Sequence, residues 1–264
     1  MRRLVPALAI LAWIADGSPS VARVPPALAG LQPSDVVQAV ETHGTEAIIT
    51  ADGGQLSLGG LYFPSRQAGA TDPEAALAEL LTGHQVQPLS VSATPDRHGR
   101  LPVQLLLLSA GQAQALWVQE ELLARGLAVV MIGPETGPAL REAMLAVEAE
   151  ARADRRGLWA ASENAILRAD DPDRIQPGFR LVEGRVLAIG ESRHSLFLNF
   201  GPDWRTDFTV IVQRSDRSAF KGGLRGLRAL EGQTIRIRGR VFQRGGPSIR
   251  ALHQNAIEVL ETQQ

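Results

Sequence analysis

Short apolar runs broken by Gly, Asp and Pro dominate the chain, and the spacing inside each run separates strands from helices. Residues 4–15 form one apolar stretch behind Met1-Arg2-Arg3, followed by a polar break over 16–20 that ends in the small residues Ser20-Val21-Ala22. Residues 23–34 are rich in Pro and Ala and read as a linker. From Asp35 onward the pattern becomes strand-like. Residues 36–40 and 47–50 are β-prone, Asp52-Gly53 supplies the positive φ of a hairpin turn, and residues 55–61 alternate. Residues 73–82 predict a helix, with Asp72 suited to the N-cap, Pro73 to the first helical position and Gly83 to the stop. Strands are expected over 86–93 and 101–108, around the polar loop 94–100. Two further helices are expected over 113–125 and 138–156, closed by Gly126 and Gly157, with a short extended segment over 127–132 between them.

The polar, acidic stretch 162–177 marks a domain boundary. Beyond it, strands are expected over 179–189, 196–200, 208–212 and 234–242, with a last stretch to 260 and a helical or looped segment over 218–230. Five strands with a helix between the third and fourth follow the order of a Greek-key barrel of the OB type.

Hydrophobic residues at 44% and charged residues at 21% support packed cores and exclude wholesale disorder. The net charge of -1 hides an asymmetry. Residues 1–175 hold 13 Arg against 20 acids, net -7, and residues 176–264 hold 13 Arg and Lys221 against 8 acids, net +6. A polyanion prefers the basic half. The absence of cysteine excludes a disulfide framework, a thiolate zinc site and a cysteine nucleophile. His43, His84, His98, His194 and His253 show no ligand spacing, so no metal site is expected from them. Residues 1–22 have the layout of a secretory signal peptide, with an apolar run too short to span a bilayer. A secreted or periplasmic protein with no stable membrane span after processing is the expectation.

Two pieces carry a family resemblance. Glu121-Leu122-Leu123-Ala124-Arg125-Gly126-Leu127-Ala128-Val129-Val130 forms a helix-to-strand piece, and Glu148-Ala149-Glu150-Ala151-Arg152 through Gly157-Leu158-Trp159 a final helix and apolar plug. With Gly99-Arg100 before a strand, this order resembles the thermonuclease (staphylococcal nuclease-like) family over residues 36–160. The resemblance implies an OB-type barrel with additional helices. The expected fold is therefore α+β, mainly β, with two OB-type five-stranded barrels over 35–161 and 178–264 joined by a linker at 162–177.

The resemblance also implies phosphodiester hydrolysis with one calcium ion, held by carboxylates, with a glutamate handling the attacking water and two arginines clamping the phosphate. The first carboxylate position falls near His43-Gly44-Thr45-Glu46-Ala47, where Glu46 stands in. In the second motif the arginine position holds Ser57, the metal-binding aspartate position Tyr62 and the glutamate position Ser65; Arg100 is the loop arginine retained. A neutral hydroxyl lacks the charge that sets calcium affinity, a serine is no general base near neutral pH, and Ser57 offers no guanidinium fork. Each such loss costs about 10²–10³ in rate. The expectation is a catalytically degenerate nuclease without a cofactor. Calcium, with Glu46 and Arg100 as catalytic residues, belongs to the alternative of an active nuclease.

The second half resembles the small OB-fold domains attached to bacterial nucleases and exported DNA-binding proteins, through Leu196-Phe197-Leu198-Asn199-Phe200-Gly201, Asp207-Phe208-Thr209-Val210-Ile211-Val212 and the run from Leu230 to Val241. Strand alternation puts Ile235, Ile237 and Val241 inward and Arg236, Arg238 and Arg240 outward. Phe197 and Asn199 share one face, and Trp204-Arg205 lies in the loop that follows. Cations for phosphates and aromatics for bases are what a single-strand groove requires. Phe197, Asn199, Trp204, Arg205, Arg236, Arg238 and Arg240 are thus the expected nucleic-acid-binding residues, with DNA or RNA as partner. A rival reading, a protein-interaction scaffold of the cell envelope, expects the Arg row to be dispersed or buried at a domain interface.

Overall fold

A computed structural model describes residues 24–64, 71–108, 115–161 and 166–260. The expected signal peptide and Ser65 lie outside the described residues. The first half contains β1 (Gln32–Pro33), β2 (Val37–His43), β3 (Ala47–Thr50), β4 (Gln55–Leu58), β5 (Leu61–Tyr62), α1 (Pro73–Leu81), β6 (Gln85–Ser90), β7 (Leu101–Leu108), β8 (Leu116–Trp117), α2 (Val118–Ala124), β9 (Val129–Val130) and α3 (Pro138–Ala153). Strands β2, β3, β4, β7 and β6 pair in sequence, and β6 returns to β2, so the sheet closes into a ring. Only the β4–β7 pairing is parallel. That is the OB strand order, with α1 between the third and fourth barrel strands. Leu56, Leu58, Val86, Val103 and Leu105 fill the interior with Leu77 and Leu81 of α1. The cap of α1 forms where the residue types demand it: Asp72 accepts from the Glu74 N–H at 3.0 Å.

The second half contains β10 (Leu167–Arg168), β11 (Gly178–Arg185), β12 (Ala188–Glu191), β13 (Ser195–Asn199), β14 (Thr209–Gln213), α4 (Gly223–Arg228), β15 (Thr234–Arg244), β16 (Gly246–Arg250) and β17 (Ile257–Val259). Here β11 and β12 act as two segments of one bent barrel strand. The first pairs with β15 and the second with β13. The ring runs on through β14, parallel to β16, and back to β15. Leu196, Leu198, Val210, Val212, Ile235, Ile237, Val241 and Ile249 form its core. The fold is α+β with two barrels of the same topology.

Three boundaries differ from expectation. The segment read as an N-terminal linker packs onto the first barrel: Leu28 is fully buried in its core and β1 pairs with β6. The helix expected over 113–125 begins at Val118, because Leu116–Trp117 pairs with β7 instead. The acidic stretch after Trp159 contributes β10 to the second sheet, and Ile175 to its core. The barrels meet through Val129, Ala151 and Trp159 on one side and Leu181 and Phe179 on the other. No helix among the described residues is long and apolar enough to cross a membrane.

Candidate nucleic-acid interface

Alternation along β13 buries Leu196 and Leu198 and turns Phe197 and Asn199 to the outside of the second barrel. On β14, Val210 and Val212 lie in the core, while Thr209 and Ile211 face the other side of the strand and are themselves buried. Loop 200–207 stands over this face. Its shape is set by two aspartates: Asp207 accepts from the Asp203 N–H at 2.7 Å, and Asp203 accepts from the Arg205 N–H at 3.0 Å. The β15–β16 turn lies directly against the loop. A Cβ on Gly245 would sit 2.4 Å from the Arg205 carbonyl oxygen, and one on Gly246 would sit 2.3 Å from that of Thr206. Two glycines therefore permit the approach that brings Arg244 beside Trp204. The result is a groove of about 340 Å³ lined by Phe197, Asn199, Trp204, Thr209, Ile211 and Arg244, together with Gly190 and Ser248.

Trp204 is 62% exposed, and the Arg205 guanidinium lies 4.6 Å from its ring centre. The Thr209 hydroxyl is buried without a hydrogen-bond partner. Phe197, Asn199 and Trp204 line this groove, and Arg205 lies on the Trp204 ring. Thr209, Ser248 and Arg244 were not foreseen. The Gly245-Gly246 pair, a hairpin signal directly after Arg244, could have pointed to the last of them.

On the first barrel, Arg100 closes its own loop. Its Nε donates to Asp96 at 2.9 Å, while Asp96 accepts from the backbone N–H groups of Arg100 and His98. Burial pushes the Asp96 carboxyl up, but those backbone hydrogen bonds and the guanidinium outweigh it and hold it below its usual range. The Arg100 Nη1 also donates to the Glu46 carbonyl at 3.0 Å and reaches its carboxylate at 3.3 Å. Glu46 and Arg100 do come together, but the guanidinium is already paired. Tyr62 stacks on Phe179 of the second barrel with ring centres 4.5 Å apart. Among the described residues no three His, Asp or Glu side chains gather as a metal site. Calcium takes about six to eight oxygen ligands, and the described residues around Tyr62 and Arg100 do not fit it.

Residues 64–161 match the family of staphylococcal nuclease homologues. The match contains Arg100, Gly126, Gly157 and Trp159 and begins after Ser57 and Tyr62. No curated protein matches the chain. Two glycines hold the scaffold of this nuclease-like domain. A Cβ on Gly126 would sit 2.2 Å from the Arg156 carbonyl oxygen, and one on Gly157 would sit 2.3 Å from that of Gly126.

The nuclease-like domain also decides the fate of the arginine row. Ile235, Ile237 and Val241 point inward as the alternation requires, but the outer face of early β15 is covered. Arg238 is 4% exposed. It donates to the Val130 carbonyl at 2.8 Å, to both carboxylate oxygens of Glu148 on α3 at 3.2 and 3.1 Å, and to Glu258 at 2.6 Å. Burial disfavours its charge, and the two carboxylates more than offset this, holding its pKa above the ordinary arginine value. Arg236 is paired with Glu183 at 2.5 Å and Glu258 at 3.4 Å. The expectation of three outward, phosphate-ready arginines is therefore corrected. Strand geometry turns all three away from the core, but a neighbouring domain and three carboxylates claim Arg236 and Arg238. Arg240 is exposed and has no ion pair among the described residues.

Proposed function

We propose that the protein is an exported, catalytically degenerate nuclease-fold protein that binds single-stranded nucleic acid through its second barrel. The groove carries this reading. Trp204 and Phe197 offer faces for base stacking, which is sequence-tolerant because every base has a π-face. Asn199 and the partnerless Thr209 hydroxyl supply polar contacts between them. Arg244 and Arg205 supply cations for phosphates. Loss of hydrolysis is supported by the commitment of Tyr62 to Phe179 and of Arg100 to Asp96. Export is supported by the signal-peptide pattern of residues 1–22. A protein-binding scaffold is the second reading, favoured by the burial of Arg238 at the domain interface.

The test incubates the purified chain with single- and double-stranded DNA and RNA, with calcium or with chelator, and runs cleavage and gel retardation from the same tubes. Retardation of single strands without cleavage is expected. Calcium-dependent cleavage that disappears in Arg100→Ala would overturn the degenerate-nuclease reading. No retardation at low salt would leave the scaffold.

A further inference from the structure

A second groove, of about 540 Å³, lies between the two domains. Tyr62 and Met131 line it from the nuclease-like domain, and Phe179, Arg240, Phe242 and Leu252 from the second barrel. We infer that this cleft and the Trp204 groove are two halves of one single-strand track, with the Tyr62–Phe179 stack at its far end. The inference rests on the reading of the Trp204 groove given above.

Sheet register carries the argument. Ile211 of the first groove is paired with Arg250 of the second, and Ser248 of the first with Phe242 of the second. The grooves therefore abut along β16. All four side chains share the outer face, since Val210, Ile249 and Val241 between them are in the core. The row continues: Arg240 is paired across β15 and β11 with Phe179, and Phe179 stacks on Tyr62. From β13 to β11 the row crosses four inter-strand gaps, roughly 19 Å along the curved sheet at about 4.8 Å each. That suits the lower part of the range of about 4–16 nucleotides per OB fold.

Charge points the same way. Among the described residues lining either groove, the ionisable side chains apart from His253 and Tyr62 are arginines, and none is acidic. Arg238 is neutralised by Glu148 and Glu258, and Arg250 is held by Asp216 at 2.8 Å. Arg240 and Arg244 have no ion pair among the described residues, one beside each groove. Met131, Phe242 and Leu252 are large exposed apolar groups along the same path. Alternating free cations and apolar faces match a chain of phosphates and bases better than an uncharged apolar segment.

The experiment measures fluorescence anisotropy of labelled oligo-dT of about 2 nucleotides, short enough to fill only the Trp204 groove, and of about 12 nucleotides on the full chain at low salt. Arg240→Ala and Phe242→Ala are each expected to weaken the longer oligonucleotide roughly fivefold to tenfold and to leave the shorter one within about twofold. Trp204→Ala is expected to weaken both. If Trp204→Ala weakens both while Arg240→Ala and Phe242→Ala leave the longer one unchanged, the track is overturned and the groove stands. If the unmodified chain binds neither, the groove reading falls and the track falls with it.

Discussion

The two barrels share one strand order and turn their polar outer groups to opposite uses. In the nuclease-like domain these groups face their own chain or its neighbour: Arg100 pairs with Asp96 and Glu46, and Tyr62 lies on Phe179. In the second barrel Trp204, Arg240 and Arg244 remain open to solvent. The contrast also appears within one strand. Arg238 and Arg240 are two residues apart on the same face of β15, yet one is enclosed by two carboxylates and the other is free. What a cation can bind is decided by what the fold sets opposite it, and only secondarily by its own chemistry.

The sharpest way to break this comparison is Arg238→Ala. It leaves Glu148 and Glu258 with only their longer contacts to Arg152 at 3.3 Å and Arg236 at 3.4 Å, and is expected to cost about 3 kcal/mol of stability, the low end for opening a buried ion pair. The same change at Arg240 is expected to stay within about 0.5 kcal/mol. Urea denaturation of both variants reads the difference, and equal costs would refute a distinction between buried and free arginines. Next in size, Gly126→Ala drives a Cβ into the Arg156 carbonyl at a φ of +67°. It is expected to lower stability by about 1–3 kcal/mol in thermal unfolding. Trp204→Ala is expected to weaken single-strand binding by about 1–3 kcal/mol without moving the melting temperature, as read by titration and melting of the same sample. The smallest effect concerns pH. Asp96 has a carboxyl pKa depressed below its ordinary 3.8, so its contribution to stability is present above that pH and is lost as pH falls through the lower folded value. The stability gap between the natural chain and Asp96→Asn should therefore hold near neutrality and close on acidification below about 3.8.

Much of the fold was legible because local signals agreed with tertiary ones. Asp72-Pro73 and Gly83 delimit α1, Gly126 and Gly157 end their helices, and alternation in β13, β14 and β15 separates core from outer face. The elements that escaped were those whose state depends on distant partners. Leu116–Trp117 looks helical in sequence, but its pairing with β7 decides otherwise, and Leu28 lies in a Pro- and Ala-rich stretch that only the first barrel's core turns into structure. The site was legible by the same division. Phe197, Asn199 and Trp204 follow from strand period and loop position. Arg238 follows the period too, but no local pattern shows that Glu148, ninety residues earlier, will occupy it. Arg244 owes its place to the contact of two glycines with loop 200–207, a relation between segments far apart in sequence.

The Tyr62–Phe179 stack has a consequence for attempts to place a metal on this face. An aspartate introduced at position 62 would not by itself make a metal site, because the new carboxylate would face an aromatic ring belonging to another domain. Among the described residues no three His, Asp or Glu side chains are grouped to share a cation with it. Position 179 would have to change as well, and with it the seam between the barrels. Where two domains meet ring to ring, the chemistry of that seam belongs to both residues, and no single substitution resets it.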